Sequence, residues 1–569
     1  MTHLFDDPET FAAQALQGFC DIHARLVRPV PGGVLRASAT PRGKVALVIG
    51  GGGGHYPAFA GYVGPGFADA AVAGDVFASP STRLVHDVAA RAERGAGVIL
   101  GYGNYAGDVL NFGAAAERLR SRGIDVRTLA ITDDVASASD AERAKRRGVA
   151  GDVAVFKIAG AAAETGLDVD AVEAVARRAN DRTRSFGVAF GGCTLPGAAG
   201  PLFTVTDGQM AIGLGIHGEP GIAERPIVAA SELATILVDR LIAEAPANGG
   251  PRVAAILNGL GSTKQEELFV LWTAVSALLR TRGFEIVSPL VGEYVTSLDM
   301  EGCSLTLTWL DEELERFWLA PCDTAVLTVG TVTAAPAADA EAEIEDEIAA
   351  PVTPGAPASQ AAGQRIAVAF TDLAAALKEA EAELGRIDAE AGDGDHGQGM
   401  ARGSAAAAQA ARDAAEAGAG AASVLAAAGS AWADRAGGTS GAIWGLGLAA
   451  ASRTLSDQAA PGAADIGRAA GQALQAVLTL GGARPGDKTL VDAFHPFVEH
   501  LTGAIAEGQP LTAAWTKAAE AATRGAEETA GLVPRLGRAR PLAERSLGHR
   551  DAGAVSFALC SHTVLKHLP

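Results

Sequence analysis

Cysteine is scarce in this sequence, and its few occurrences lie far apart. Five cysteines are scattered through 569 residues with no Cys-x-x-Cys spacing, which argues against a disulfide or zinc framework and is typical of thiols in a reducing compartment. The first residues lack a basic stretch followed by an apolar run, so we predict no secretory signal and expect a cytoplasmic protein. Aromatic residues make up only 5%, whereas 48% of residues are hydrophobic and 71 are glycine. This composition excludes a disordered chain and predicts a globular protein of several domains.

Positive charge is also in short supply. The chain has 46 Lys and Arg residues against 66 Asp and Glu residues, a net charge of −20. This negative charge would repel nucleic acid and anionic lipid and so disfavour nonspecific binding to them. We therefore expect no nucleic acid and no membrane as partner. Two uncharged stretches, 417–433 and 436–452, approach the length of a membrane span but are rich in Ala, Gly, Ser and Thr. They favour closely packed helices over a membrane segment.

One break in composition divides the chain. Residues 333–364 are rich in Ala and Pro and include an acidic run, which predicts a tether between domains at 1–332 and 365–569. In the first domain, β-branched runs alternate with helical stretches such as 169–182, a rhythm that predicts an α/β fold with a doubly wound, largely parallel sheet. A second α/β subdomain is expected to begin near residue 185. The predicted strands are 45–49, 97–103, 126–132, 153–158 and, in the second subdomain, 252–261.

Strand signals nearly vanish after the tether. Alanine-rich segments with a helical period follow one another there, separated by Gly and Pro, and they predict an all-α bundle. The predicted helices are 366–386, 400–416, 421–434, 441–454, 463–479, 490–507 and 511–530.

Three glycine-rich segments of the first domain contain residues suited to chemistry. In 49–57 a strand runs into five glycines and His55, where a small polar ligand can approach the backbone, although a tight βα turn explains the glycines as well. Asp108 follows a strand and a glycine turn, so it can take a proton from a hydroxyl group or only cap a helix. His217 lies between the turn residues of 214–222, where a histidine can act in catalysis or simply satisfy a structural hydrogen bond.

Three further segments stand out in the second domain. Asp388, Asp393 and Asp395 are close in sequence, and three converging carboxylates favour a bound Mg²⁺, with solvated loop acids as the alternative. A Gly-Gly-Thr-Ser-Gly turn at 437–441 opens a helix, where backbone N–H groups and the hydroxyls of Thr439 and Ser440 can bind an anion or only cap the helix. The segment 544–557 combines basic and turn residues, which suit a nucleotide without requiring one.

In this order, the six segments resemble those of the dihydroxyacetone kinase family in its fused, single-chain form. Further matching stretches are DDVA (133–136), RRGVAG (146–151), GCTLPGA (192–198), TSLDM (296–300) and PGDKTLVDAF (485–494). The resemblance implies a ketose-binding α/β K domain of two subdomains, followed by an all-α, helical-barrel L domain that binds the nucleotide. It also implies a kinase that uses ATP as co-substrate and Mg²⁺ as cofactor, and a homodimer.

The resemblance also assigns roles to residues. His217 matches the histidine that binds the substrate carbonyl covalently as a hemiaminal, and His55 and Asp108 match an acid/base pair near the hydroxyl that is phosphorylated. The implied substrate-binding residues are Gly52, Gly53, Gly54, His55, Gly103, Asp108 and His217. The implied magnesium ligands are Asp388, Asp393 and Asp395, and the implied nucleotide-binding residues are His396, Gly397, Gln398, Gly399, Thr439, Ser440, Gly482, Leu490, Arg538, Asp551, Ala552 and Gly553.

Departures from the family pattern bear on the substrate. Gly103 stands where the family usually has a lysine that contacts the substrate, and Gly53 and Tyr56 stand where it usually has Ser and Glu. We therefore expect a reshaped pocket and predict erythrulose as the substrate, with dihydroxyacetone as the alternative. Ala552 replaces the usual proline, which weakens one nucleotide contact.

Three other functions of such a chain stay open. They are a kinase that keeps ADP bound and takes phosphate from a phosphocarrier protein, a non-catalytic regulatory binding protein, and a nucleotide-cyclising lyase side activity. Both domains are fused in one chain that has no phosphocarrier domain. This favours a kinase that exchanges ATP over one that keeps ADP bound. Retention of His217 and of all three aspartates argues against the second.

Overall fold

The computed structural model describes residues 2–332, 353–390, 394–535 and 546–568. They belong to two compact units, Met1–Ile344 and Glu345–Pro569. The first unit is built on β-sheets flanked by helices, and the described part of the second is helical, which confirms the predicted fold class. Most of the predicted tether lies outside the described residues. Its end was placed too late, because residues 357–364 already belong to the first helix of the second unit.

The first unit begins with a six-stranded sheet in the order β1-β2-β4-β3-β5-β6. Its strands are β1 (Val27–Val30), β2 (Gly33–Arg36), β3 (Ala46–Gly53), β4 (Ala70–Val76), β5 (Val98–Gly103) and β6 (Val126–Ile131). Strands β3 to β6 run parallel, and β1 and β2 form an antiparallel edge. The loops that follow β3 and β5 therefore leave the same edge of the sheet, where parallel sheets usually bind ligands.

Helices cover both faces of this sheet. They are α1 (Phe11–Ile22), α2 (Thr82–Ala92), α3 (Ala106–Ser121), α4 (Gly151–Glu164) and α5 (Val169–Asp181). Leu47 and Ile49 of β3 pack in a cluster with residues of α4 and α5, whereas Ala46 and Val48 pack with α2 and α3. The predicted strands at 45–49, 97–103 and 126–132 and the helix at 169–182 are thus confirmed.

The predicted strand at 153–158 is wrong, because these residues lie inside α4. Every residue from Gly151 to Ala163 is buried, so this helix is buried on all sides and its sequence shows no amphipathic period. A short run of this kind looks the same in sequence whether it is a buried strand or a buried helix.

The second sheet has seven strands in the order β11-β10-β13-β7-β8-β9, with β12 also paired to β10. Its strands are β7 (Thr183–Ala189), β8 (Gln209–Ile212), β9 (Ala223–Pro226), β10 (Arg252–Gly259), β11 (Glu285–Ile286), β12 (Leu290–Gly292) and β13 (Gly302–Trp309). The predicted strand at 252–261 is confirmed by β10. All pairs except those of β10 with β11 and β12 are antiparallel, so a largely parallel sheet was correct only for β3 to β6. Helices α6 (Ala230–Ala243), α7 (Gln265–Thr281) and α8 (Glu312–Trp318) and the short strands β14 (Cys322–Asp323) and β15 (Thr328–Val329) complete the unit.

The described part of the second unit contains nine α-helices. They are α9 (Pro357–Glu379), α10 (Glu381–Ala389), α11 (His396–Glu416), α12 (Ala421–Ala436), α13 (Gly438–Ser452), α14 (Ala463–Gly481), α15 (Val491–Ala506), α16 (Leu511–Glu528) and α17 (Ala552–Leu565). The predicted helices are confirmed, with a break at Ala380 that divides the first of them, and α17 was not predicted. No helix in the described ranges is both long and apolar enough to cross a membrane.

Candidate active site

Two histidines from distant parts of the sequence meet in the first unit. His55 follows β3, His217 lies in the loop between β8 and β9, and their Nε2 atoms are 3.0 Å apart. The Nδ1 atom of His55 is 2.7 Å from the backbone oxygen of Thr296, and that of His217 is 3.2 Å from Oε1 of Glu219. A carbonyl and a carboxylate only accept hydrogen bonds, so each Nδ1 carries a hydrogen. The two Nε2 atoms are therefore the ones presented for chemistry.

The glycine run before His55 permits a close backbone approach. A Cβ on Gly52 would lie 2.8 Å from the backbone nitrogen of Ala78, and one on Gly54 would lie 2.9 Å from the ring of Phe77. Gly54 also has φ +90°, a left-handed conformation that favours glycine. The turn at 77–78 can thus pack directly against the loop, and the Phe77 ring stacks on the His55 ring with centroids 5.0 Å apart.

Aromatic rings surround the imidazole of His217. The rings of Tyr105 and Phe77 stand nearly perpendicular to it, at centroid distances of 4.7 and 5.1 Å. The Tyr105 hydroxyl donates a hydrogen bond to the backbone oxygen of Gly148 at 3.0 Å, which fixes its ring. Burial, and then the charge of Glu219, raises the pKa of Tyr105 well above its ordinary value, so the phenol stays neutral. The environment of His217 is therefore apolar on these sides.

Asp108 and Gly103 lie where β5 passes into α3. Gly103 is the last residue of β5, and a Cβ there would lie 3.1 Å from the ring of Tyr105. Asp108 is buried in the first turn of α3, three residues after the tyrosine that contacts His217. A second carboxyl, Asp152 of α4, is buried nearby, and its pKa is raised well above the usual range by burial and by the charges of Asp133 and Asp108. Asp152 therefore holds its proton more tightly than an ordinary aspartate, close to the candidate base Asp108.

Sequence reasoning missed several residues of this cluster. Glu219 lies only two positions after His217, in the segment that drew attention to the histidine, and its spacing was a usable signal. Phe77 and Tyr105 reach the histidines through tertiary contacts that no local pattern predicts.

In the second unit, predicted nucleotide contacts lie at the starts of four helices. His396, Gly397, Gln398 and Gly399 begin α11, Thr439 and Ser440 begin α13, Leu490 precedes α15, and Asp551, Ala552 and Gly553 begin α17. His396 joins three of these helices, because its Nδ1 is 3.2 Å from Oγ of Ser440 and its Nε2 is 3.0 Å from Oγ of Ser556. A Cβ on Gly553 would lie 3.3 Å from Cβ of Leu490, so α15 and α17 also begin side by side.

Carboxylates lie beside these helix starts. Asp388, near the end of α10, accepts a hydrogen bond from the backbone nitrogen of His396 at 3.3 Å, and its charge repels that of Asp395. Asp551 caps α17 by accepting a hydrogen bond from the backbone nitrogen of Ala554 at 2.7 Å. Burial, together with Asp388 and Asp492, raises the pKa of Asp551 to about 7. This end of the unit therefore holds an excess of negative charge that a cation would relieve.

Not every predicted residue joins this group. Asp393 and Arg538 lie outside the described residues, and in the described ranges no three His, Cys, Asp or Glu side chains are placed to hold a metal ion. The magnesium triad and its roles stay a prediction. Gly482 ends α14 in the left-handed conformation and begins the loop that leads to Leu490.

The chemistry of the site suits a nucleoside triphosphate with a divalent cation. Helix N-termini present unpaired N–H groups to phosphate, and a few carboxylates together with phosphate oxygens are the ligands that Mg²⁺ prefers. In the first unit, a neutral imidazole with its lone pair on Nε2 is a nucleophile suited to a carbonyl carbon.

Comparisons with known proteins agree with both halves. Residues 17–326 match the Dak1 domain and residues 390–566 match the DAK2 domain. The chain is 54% identical to the D-erythrulose kinase of Mycolicibacterium smegmatis, with 99% of this chain and 98% of that protein covered. It is 52% identical to the L-erythrulose kinase of Pectobacterium atrosepticum, with 98% and 95% covered.

A solved structure is similar over the same length. The dihydroxyacetone kinase of C. freundii in complex with AMP-PNP and Mg²⁺ is 29% identical, with a TM-score of 0.53 and 99% of each chain covered. The chain therefore belongs to the dihydroxyacetone kinase family, in the single-chain form that joins a Dak1 domain to a DAK2 domain.

Proposed function

We propose that this protein is an ATP-dependent kinase that phosphorylates a terminal hydroxyl group of a short ketose, with erythrulose as the substrate. The observation that carries the proposal is the contact between His55 and His217, whose Nε2 atoms lie 3.0 Å apart with both Nδ1 hydrogens engaged elsewhere. Two relatives that are more than 50% identical over nearly the whole chain are named erythrulose kinases, which supports the substrate. Gly103 stands where the family usually has a lysine that contacts the substrate, and the loss of that long, charged side chain supports a substrate longer than dihydroxyacetone.

Three residues of the first unit have separate proposed roles in the reaction. His217 Nε2 adds to the carbonyl carbon of the ketose and holds it as a hemiaminal, with His55 as the acid/base beside it. Asp108 takes the proton of the terminal hydroxyl group, which then attacks the γ-phosphate of ATP. An alcohol has no carbonyl carbon for the imidazole to add to, so a polyol such as glycerol lacks this anchor.

The second unit is proposed to hold ATP. Helix starts at His396, Thr439, Leu490 and Asp551 supply donors for the phosphates, and Arg538 and Gly482 are further proposed contacts. Asp388, Asp393 and Asp395 would hold Mg²⁺, which offsets phosphate charge when bound. We further propose two domains, at 1–332 and at 365–569 extended back to the start of its first helix at Pro357, a homodimer and a cytoplasmic location. The five cysteines, all buried free thiols, agree with the last.

A substrate panel tests the function. ADP release would be measured with D-erythrulose, L-erythrulose, dihydroxyacetone, glyceraldehyde and glycerol, each with ATP and Mg²⁺. We expect the highest kcat/KM with one enantiomer of erythrulose, a lower value with dihydroxyacetone and none with glycerol. The relatives with D- and L-specific names differ by only two points in identity (54% and 52%), so the panel decides the handedness. Turnover of glycerol at the rate of the ketoses would contradict the proposal.

Dihydroxyacetone kinase activity is the second candidate. It is favoured by the solved structure of the C. freundii enzyme, which is similar over the whole chain. A kcat/KM for dihydroxyacetone above that for both erythrulose enantiomers would favour it. Light scattering of the purified chain tests the homodimer separately.

A further inference from the structure

A chain of buried charges leads away from His217. Glu219 accepts a hydrogen bond from the backbone nitrogen of His217 at 3.0 Å and one from its Nδ1 at 3.2 Å. Nitrogen NH1 of Arg147 is 3.7 Å from Oε2 of Glu219, and NH2 of the same guanidinium is 2.7 Å from Oδ2 of Asp134. The side chains of Glu219 and Asp134 are only 7% and 8% exposed, and that of Arg147 12%. Charges removed from water in this way interact strongly.

The backbone around His217 is folded directly over this ion pair. Arg147 donates a hydrogen bond to the backbone oxygen of Gly213 at 3.3 Å. A Cβ on Gly215 would lie 2.1 Å from Oε2 of Glu219 and 2.3 Å from NH1 of Arg147, so only glycine leaves room for the pair there. Although burial alone would lower the pKa of Arg147, Asp134 and Glu219 raise it above its ordinary value. The guanidinium is therefore a fixed positive charge beneath the loop.

We propose that Arg147 is a positioning residue for ketose capture. Anchored by Asp134, it keeps Glu219 ionised and in place, and Glu219 keeps the proton of His217 on Nδ1 and the lone pair on Nε2. This gives a role to the DDVA and RRGVAG segments, which contain Asp134 and Arg147 and which the predicted mechanism left without one. The inference rests on the proposed function, because capture at His217 is part of it.

The charge on Glu219 matters most when the adduct forms. As the bond between Nε2 and the carbonyl carbon forms, the C=O π pair moves to oxygen, which takes a proton that comes from solvent and is relayed by Nε2 of His55. The imidazole, now substituted at Nε2 and still protonated at Nδ1, becomes positive. Ionised Glu219 offsets that charge, whereas a protonated Glu219 would not. Without Arg147, Glu219 and Asp134 would be two carboxylates sharing a buried site, which favours protonation of one of them.

Other titratable groups face this chain of charges. They are His55, Tyr105, Cys193 and Asp133. Tyr105 and Cys193 stay neutral near pH 7, because burial raises the pKa of Tyr105 well above its ordinary value and that of Cys193 to about 11. Burial raises the pKa of Asp133, which is next to Asp134, to about 6. His55 and Asp133 are present in all the variants below, and Arg147→Lys keeps the positive charge beside them, so a shift that appears in Arg147→Met but not in Arg147→Lys reports on the loss of that charge.

The test is a double-mutant cycle in the full-length chain. Erythrulose labelled with ¹³C at the carbonyl would be titrated with wild type, Arg147→Met, Glu219→Gln and the double variant, and capture followed by NMR as the carbonyl carbon becomes tetrahedral. We expect each single variant to weaken capture about tenfold or more. The double variant should capture the ketose as well as the single variant that captures it less well, because Arg147 acts through Glu219. Arg177→Met, a matched change at an exposed arginine paired with Glu173, should capture normally.

The pH dependence of capture provides a second readout. For Arg147→Met, the fall in capture on the acid side should move to higher pH, because Glu219 is protonated more readily. Arg147→Lys keeps the charge, so its acid limb should stay at the wild-type pH even if its affinity is lower. This measurement remains available if Arg147→Met does not fold.

Three results would overturn the proposal. They are normal capture by Arg147→Met, losses that simply add in the double variant, and a shifted acid limb in Arg147→Lys. Wild type that captures no ketose would contradict the proposed function and this inference with it. Normal capture by wild type and Arg147→Met alike would contradict this inference alone.

Discussion

Burial and neighbouring charges change how tightly single residues of this protein bind their protons. Asp152 is the clearest case in the first unit. It is only 4% exposed, its Oδ1 atom has no hydrogen-bond partner among the described residues, and its pKa is raised by burial, Asp133 and Asp108. A carboxyl whose pKa is raised in the folded state binds its proton more tightly when folded than when unfolded. Its contribution to stability is therefore greatest at low pH and is lost as pH rises above the ordinary aspartate range of about 4.

The direction of this pKa shift predicts the effect of replacing Asp152 by asparagine, its neutral isostere. Asp152→Asn should increase the free energy of unfolding at pH 8 by about 1 to 3 kcal/mol, within the range typical of single substitutions. The gain should shrink towards pH 4, where the wild-type carboxyl is protonated in the folded state and about half protonated in the unfolded state. Thermal denaturation at pH 4, 6 and 8 measures it, with the exposed Asp21→Asn as a control. A variant less stable than wild type at pH 8 would contradict the assignment.

At the scale of secondary-structure elements, glycines set how closely helices approach. In α12 and α13, a Cβ on Gly445 would lie 2.4 Å from Cβ of Ala433, and one on Gly429 would lie 2.8 Å from Cβ of Leu448. The same two helices stack Trp432 on Trp444 with centroids 4.9 Å apart. Because α13 begins with the Gly-Thr-Ser turn of the proposed phosphate site, the packing of this helix pair positions that turn.

The same substitution should therefore have opposite effects in two helices. Gly445→Ala should destabilise the second unit by about 1 to 3 kcal/mol, because the added methyl overpacks the contact with α12. Gly471→Ala in α14, where a Cβ meets nothing within 4 Å, should stabilise it by about 0.5 to 1 kcal/mol through helix propensity. Denaturant unfolding of both variants gives the difference. Equal effects of the two would mean that α12 and α13 are not in close contact.

At the scale of the whole molecule, the two candidate chemistries lie in separate compact units. His55, Asp108 and His217 belong to the unit Met1–Ile344, whereas Asp388 and Asp395 belong to Glu345–Pro569. Each unit has its own hydrophobic clusters, so a change at one site need not disturb the fold of the other. Binding of the ketose and binding of ATP should therefore be separable by mutation.

Two variants test this separation. His217→Ala should abolish ketose capture and lower kcat/KM by more than about 100-fold, but leave binding of ATP with Mg²⁺ unchanged. Asp393→Ala should abolish Mg²⁺-dependent turnover and leave ketose capture intact. Capture would be followed with ¹³C-labelled ketose and ATP binding by calorimetry. Loss of both properties in either variant would argue against independent sites.

Much of the fold could be predicted because its signals are local. Glycine turns after strands, the 3.6-residue period of the second half and the charged, proline-rich break depend on neighbours in sequence. The same holds for the candidate residues, since His55, Asp108, His217 and the acidic segment at 388–395 stand out within short motifs. Interactions between neighbours in sequence can be recognised in short segments. The fold class and most of the candidate site could therefore be proposed before the structure.

The sequence by itself therefore determined the fold class of each half and the half to which each candidate residue belongs. Only the tertiary structure decided the strand directions of the second sheet, the helical state of the wholly buried α4, and the partners of His217. These depend on contacts between residues far apart in the chain. Glu219 reaches Arg147 across 72 positions and His55 reaches His217 across 162, and burial then sets their charges. A local sequence pattern does not show which distant residues will become neighbours. The charge states of groups in a buried site depend on those neighbours.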